Sequence, residues 1–152
     1  MARYADEAIR VRGFAELRKG LKEADRRFPR ELAQANKRIA GAIVVPDAKR
    51  RAARLTKPPT GHAIIDSIKA GGSQDRVKVE MGAQRGAGII PYLYGMEFGS
   101  ESYPQFAPRS PRVGRGNQGY FFYPAIRAAI PAIRDVYGEM LDDLLERAFP
   151  GA

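Results

Sequence analysis

Cysteine and tryptophan are absent from this chain of 152 residues, and histidine occurs once, at position 62. Without cysteine there are no disulfide staples and no thiolate metal ligands, which suits folding in a reducing compartment. A single histidine leaves at most one imidazole base for a Ser-His-Asp or Cys-His arrangement, and no Gly-x-Ser-x-Gly elbow presents a serine. His62 follows Gly61 at a turn, where capping or packing is the expected role. The acids do not fill the gap: adjacent Asp142 and Asp143 point in different directions on a helix, and no His-carboxylate cluster has metal-ligand spacing. Gly82-Ala83-Gln84-Arg85-Gly86-Ala87-Gly88 is glycine-rich but lacks the Gly-Lys-Ser/Thr ending of a phosphate-binding loop, so it reads as a turn. No stretch approaches the roughly 20 apolar residues that span a bilayer. Met1 to Glu7 hold no apolar signal segment. The expectation is a soluble, unexported, non-enzymatic protein with no cofactor, no catalytic or metal residues and no membrane partner.

What the chain has is positive charge, unevenly placed. Its formal net charge is +9. Residues 1–61 hold 16 basic against 7 acidic side chains, residues 62–119 hold 7 against 5, and residues 120–152 hold 3 against 5. Lys49, Arg50, Arg51 and Arg54 are candidate phosphate contacts if the basic half binds nucleic acid, because clustered cations release counterions condensed on phosphates. A solvated helix face gives the same composition. The acids Asp135, Glu139, Asp142, Asp143 and Glu146 add a third option, in which opposite charges meet within a subunit or between neighbouring copies.

The length suits one domain, residues 1–152, able to bury roughly two-thirds of its unfolded surface. Ile9 and Val11 alternate with Arg10 and Arg12 as in a short strand ending at Gly13. Phe14, Leu17, Leu21, Ala24 and Phe28, then Leu32, Ala35, Ile39 and Ala42, recur at helical steps and predict one apolar stripe packed on the protein's own sheet. Pro29 predicts a break or kink near Phe28, Pro46 a second interruption, and Pro58-Pro59 the end of the basic helix. His62 to Ser67 then forms a short element carrying Ile64 and Ile65. Strands are expected at Ser67 to Ala70 and Arg76 to Gly82, joined by a hairpin at Gly71-Gly72-Ser73. Gly86 to Gly88 reads as a flexible link. Residues 100–119, with Pro104, Pro108, Pro111, Gly114, Gly116 and Gly119, predict a long mobile loop without regular structure, whose Arg109, Arg112 and Arg115 are placed to grip a partner. Pro124 to Phe149 predicts an amphipathic helix, with Pro131 as the place for a kink. The fold class is α+β: a long kinked N-terminal helix and a C-terminal helix packed on a small, mostly antiparallel sheet.

Three short motifs follow one another in fixed order. Pro58-Pro59-Thr60-Gly61 precedes Ser67-Ile68; Tyr92-Leu93-Tyr94-Gly95-Met96-Glu97-Phe98-Gly99 comes next; Tyr120-Phe121-Phe122-Tyr123-Pro124-Ala125-Ile126 opens the final helix. In this order, from about Gly13 onward, the chain resembles the tail-completion or head-tail joining (neck) family of long-tailed lambdoid siphophages. It departs from that pattern at His62-Ala63, where a bulky or basic pair is expected, and in the inserted loop between Gly99 and Tyr120. The resemblance implies a structural virion protein, made and assembled in the host cytoplasm and located at the neck or tail end. It implies a ring of copies, six-fold, contacting other phage neck and tail proteins around a channel through which DNA passes without sequence recognition. Tail terminator and head-closure stopper are the neighbouring roles, and a basic nucleic-acid-binding module is the alternative. Thr60, Gly61, Tyr92, Tyr94, Glu97, Phe98, Gly99 and Pro124 are then fold-signature or interface candidates, together with the three loop arginines. Glu97 beside Phe98 and Gly99 is expected to be partly buried, and to need arginine or backbone-amide partners to remain charged. Tyr92, Tyr94 and Phe98 are expected to supply apolar area.

Overall fold

The computed structural model describes residues 19–20, 22–23, 26–55, 60–84 and 88–148, with backbone alone at 60, 61, 83, 84, 88, 89 and 148. The expected strand at Ile9 and Val11, Gly13, the stripe positions Phe14, Leu17, Leu21 and Ala24, the stop at Pro58-Pro59 and the start of the Gly86 link lie outside the described residues.

Arg26 and Arg27 form the expected break, a turn after which α1 runs from Phe28 to Ile39. Pro29 fits the first turn, where no intrahelical partner awaits its missing amide. Phe28, Leu32 and Ile39 turn inward at steps of four and seven, while Lys37 and Arg38 face out in the last turn, where the helix dipole favours cations.

Pro46 does not interrupt the chain as the sequence suggests. One helical run continues from Phe28 to Leu55, because a π-helical segment, Ala40–Val44, precedes α2, Val45–Leu55. In it the amide of Val45 bonds to the carbonyl of Ala40, five residues back. The wider turn relieves the proline ring of the i−4 carbonyl it otherwise meets. Small Ala48 and Ala52, both fully buried, let α3 (Thr60–Ser67) and the C-terminal helix α5 (Phe122–Ala148) approach α2 closely. The short element after Gly61 is thus helical, and its Ile64 is fully buried.

β1 (Lys69–Ser73) pairs antiparallel with β2 (Arg76–Glu80), in the register Lys69 opposite Glu80 and Gly72 opposite Val77. Val77 and Val79 alternate with exposed Lys78 and Glu80 as their spacing predicts. The first strand begins two residues later than expected, since Ser67 ends α3: its hydroxyl donates to the Ile64 carbonyl at 2.6 Å and accepts the Gly82 amide at 2.9 Å. The hairpin turn is also displaced. It lies at Gln74-Asp75, while Gly71-Gly72-Ser73 belong to the strand. The glycine is needed for close approach: a Cβ on Gly72 would stand 2.6 Å from the Ala33 carbonyl oxygen and 2.7 Å from the Lys37 nitrogen. Buried Asn36 completes the seam by donating to the Ser73 carbonyl at 2.7 Å.

Two further ribbons, β3–β4 (Ala83–Gln84 with Gly88–Ile89) and β5–β6 (Arg112–Val113 with Gly116–Asn117), each pair antiparallel over two residues. Among the described residues the sheet component is therefore three separate two-stranded ribbons, and the architecture is α+β. α4 (Leu93–Phe98) links the second ribbon to the long loop. The principal core gathers Ala48, Ile64, Ile68, Ile90, Leu93, Phe121 and Ala125, and α5 continues past it to pack Leu144 on Phe28 and Leu32.

Candidate functional site: a buried glutamate and the arginine loop it anchors

α4 is short, and its sequence explains both its ends. Leu93, Glu97 and Phe98 lie one turn apart or adjacent and are buried together. Gly99 ends the helix at φ 73°, donating its amide to the Gly95 carbonyl at 2.9 Å. A side chain there would overlap the Pro108 carbonyl, because the returning loop crosses directly over this glycine. Tyr92 is half-buried, but Tyr94 is 53 % exposed, contrary to the expectation that it lends buried area. The helical period turns it away from Leu93 and Glu97.

Glu97 is completely buried. Its Oε2 accepts the amides of Phe121 at 3.2 Å and Phe122 at 3.0 Å, and its Oε1 accepts that of Tyr123 at 3.1 Å. These are the residue before α5 and the first two residues of α5. A helix start leaves four amides without intrahelical partners. Here Glu97 takes three, Pro124 has none to offer, and Ala125 makes the first internal bond, to Phe121. The carboxylate thus caps a helix 24 to 26 residues away in sequence, and it sits where the helix dipole favours negative charge. Burial pushes the Glu97 carboxyl above the ordinary glutamate range, while the amides of Phe122, Tyr123, Phe121 and Tyr120 pull it back down. The expected backbone-amide partners are present. Phe98 stacks toward Tyr123 with ring centroids 5.5 Å apart, reinforcing the same junction.

Gly119 lies beneath the carboxylate at φ 75°, and a Cβ there would overlap Oε1. Buried Ser110 clasps the loop closed. Its amide donates to the Phe98 carbonyl at 2.7 Å and its hydroxyl accepts the Gly119 amide at 3.2 Å. The Tyr120 hydroxyl donates to the Pro108 carbonyl at 2.5 Å, and the Gln118 amide to the Pro111 carbonyl at 2.7 Å. Sequence reasoning misses Ser110 altogether, reads Gly119 only as a loop glycine and Tyr120 only as the opening of the aromatic motif. Gly119 before an aromatic run is a visible signal for a close approach, whereas nothing beside Ser110 marks it.

The loop holds a regular element after all, the β5–β6 ribbon, because Gly114 supplies the positive φ, 60°, that its tight turn needs. Arg109, Arg112 and Arg115 are exposed, and no acid among the described residues pairs with them. The structure thus brings Glu97, Phe98, Gly99 and Pro124 together at the base of the arginine loop. Thr60 and Gly61 instead open α3, one turn before Ile64.

A cavity of about 130 Å³ borders the junction, lined by Val79, Met81, Leu93, Tyr94, Glu97, Phe98, Phe122 and Tyr123. Its one carboxyl accepts three backbone amides, so the arrangement holds the start of α5 in place. Among the described residues no group of three or more His, Asp or Glu is disposed around a metal position. No helix of the described residues is long and apolar enough to cross a membrane. His62 is exposed on α3, so of the two expected roles, capping and packing, it does not take the second.

On α2, the Asp47 carboxylate accepts Arg51 Nε at 2.8 Å and pairs with Arg50 as well. Arg51, then Arg50, hold its carboxyl below the ordinary aspartate range. Two of the four candidate phosphate contacts are thereby engaged within their own helix; Lys49 is half-buried, and Arg54 remains exposed. Comparison with protein-family models, curated proteins and solved structures returned no match to this chain.

Proposed function

We propose that this chain is a non-enzymatic structural protein of a phage virion, placed at the neck or the head-proximal end of the tail. Copies assemble as a closed ring, six-fold by resemblance, that completes the tail and joins it to the head around the DNA channel. The observation that carries this reading is the Glu97 junction. It explains in one set of hydrogen bonds why a Glu-Phe-Gly segment and an aromatic-Pro-Ala helix start occur together in the chain. It also makes a firm base for an exposed arginine loop, the kind of surface a ring subunit presents to its neighbour. Tail terminator and head-closure stopper use the same kind of ring. The nucleic-acid module gains less support, since Asp47 draws two of its cations into intrahelical pairs.

Electron microscopy of lysates from a phage whose copy of this reading frame is disrupted tests the assignment. DNA-filled heads beside unjoined or malformed tails are expected, with infectivity restored when the protein is supplied. Tails of uncontrolled length point instead to the terminator role. Normal infectious particles reject the joining role and promote the nucleic-acid reading.

A further inference from the structure

We infer that the β5–β6 arginine hairpin of one copy docks head to tail on the acidic stripe of α5 in a second copy, around an apolar contact between Val113 and Val136. The inference rests on the ring reading above and names its interface.

The hairpin tip stands clear of the rest of the molecule. Residues 111–116 are all exposed, and nothing lies within 4 Å of where a Gly114 Cβ would project. Val113 is 47 % exposed, between Arg112 and Arg115, whose guanidinium groups find no carboxylate among the described residues. The hairpin's base, however, is held by Ser110 and Gly119. A firm base reduces the ordering that docking would otherwise require.

α5 carries the opposite arrangement. At 3.6 residues per turn, Asp135, Glu139, Asp142, Asp143 and Glu146 fall in one stripe roughly 100° wide, centred roughly 140° around the helix from the face that buries Ile133 and Leu144. All five are exposed, and none forms an ion pair with a described residue. Val136, 40 % exposed, borders that stripe. The hairpin thus sets a valine between two cations, and α5 sets a valine at the edge of a row of acids, with Arg147 beside the row's far end.

Within one copy they do not meet. The hairpin is clasped at the start of α5, whereas the stripe begins roughly 20 Å and ends roughly 36 Å farther along the helix axis at 1.5 Å per residue. Because the surfaces differ, the contact is heterologous, the kind that closes into a ring when the rotation between copies permits. Opposite charges at its rim would speed encounter and fix register.

Absence of cysteine makes the test direct. Copies carrying Val113→Cys are mixed with copies carrying Val136→Cys and treated with a short bismaleimide, alongside each variant alone. The mixture is expected to give at least about ten-fold more cross-linked dimer than either alone, and the double variant a ladder of multimers. Arg112→Glu with Arg115→Glu should weaken association about ten-fold by sedimentation velocity, and Glu139→Arg with Asp143→Arg in the partner should restore it. All these positions are exposed, and circular dichroism checks that the variants fold. Self-association without the Val113–Val136 cross-link overturns this interface and leaves the ring standing. Absence of association at low salt, with no cross-link, overturns both. A cross-link indifferent to both charge reversals overturns the arginine-acid contact.

Discussion

At the scale of the residue, Glu97 illustrates how a carboxyl group is buried when backbone amides replace its hydration. Removing a carboxylate from water is unfavourable unless hydrogen bonds replace hydration. The open end of α5 supplies three amides at 3.0 to 3.2 Å. Glu97→Gln turns one acceptor into an NH2 group facing amide donors, and is expected to lower stability by about 1–3 kcal/mol in urea unfolding. The pH dependence has a definite sign. A carboxyl whose folded-state pKa lies above its unfolded value binds its proton more tightly in the fold. Its contribution to stability is then full below the ordinary glutamate range and declines as pH rises through the folded-state value. The gap between the unsubstituted chain and Glu97→Gln should therefore be widest in acid and narrow as pH rises. A gap that widens instead would mean that the amides outweigh burial. Glu97 was legible as a special residue because an acid between Met96 and Phe98-Gly99 is out of place in an apolar segment. Its donors were not legible, since three backbone amides more than twenty positions away carry no signature of their own.

Elements show which local rules prevailed. Alternation in β2 and the helical steps in α1 and α5 survive into the fold because each reflects burial of one face against whatever neighbour arrives. Glycine and proline are read less securely, since each serves several ends. Gly71-Gly72 suits a turn, yet Gly72 instead lets β1 press on the backbone of α1. The two positions separate cleanly under substitution. Gly72→Ala should cost about 1–3 kcal/mol, because the added methyl meets backbone that cannot rotate away. Gly71→Ala, whose Cβ would meet the flexible Lys78 side chain at 3.5 Å, should be close to neutral. Thermal melts of the two variants, side by side, check the contrast; equal losses would remove the close-approach explanation. Pro46 likewise reads as a stop, and is accommodated because a π-helical turn precedes it.

The whole molecule segregates its charge more sharply than its composition implies. Arg50 and Arg51 fold back on Asp47, the loop arginines project on a ribbon, and five acids line the outer face of α5. Exposed intrahelical pairs contribute little to stability, though they do compete with outside anions for the same guanidinium groups. Duplex DNA binding is accordingly expected to be weak and independent of sequence in gel-shift titrations across salt concentrations. Tight binding with a steep salt dependence, reduced by Arg54→Ala, would instead establish the nucleic-acid module. The sequence by itself determined the α+β class, the break before Phe28, the C-terminal helix and the placement of cations and acids, because these depend on periodicity and composition that a chain carries locally. Tertiary structure alone decided that one glutamate caps a distant helix, that a serine and two glycines clasp the loop beside it, and that the acids and arginines stay apart within a copy. Those outcomes rest on groups brought together across tens of residues, and hydrogen bonds to backbone amides leave no side-chain pattern to read.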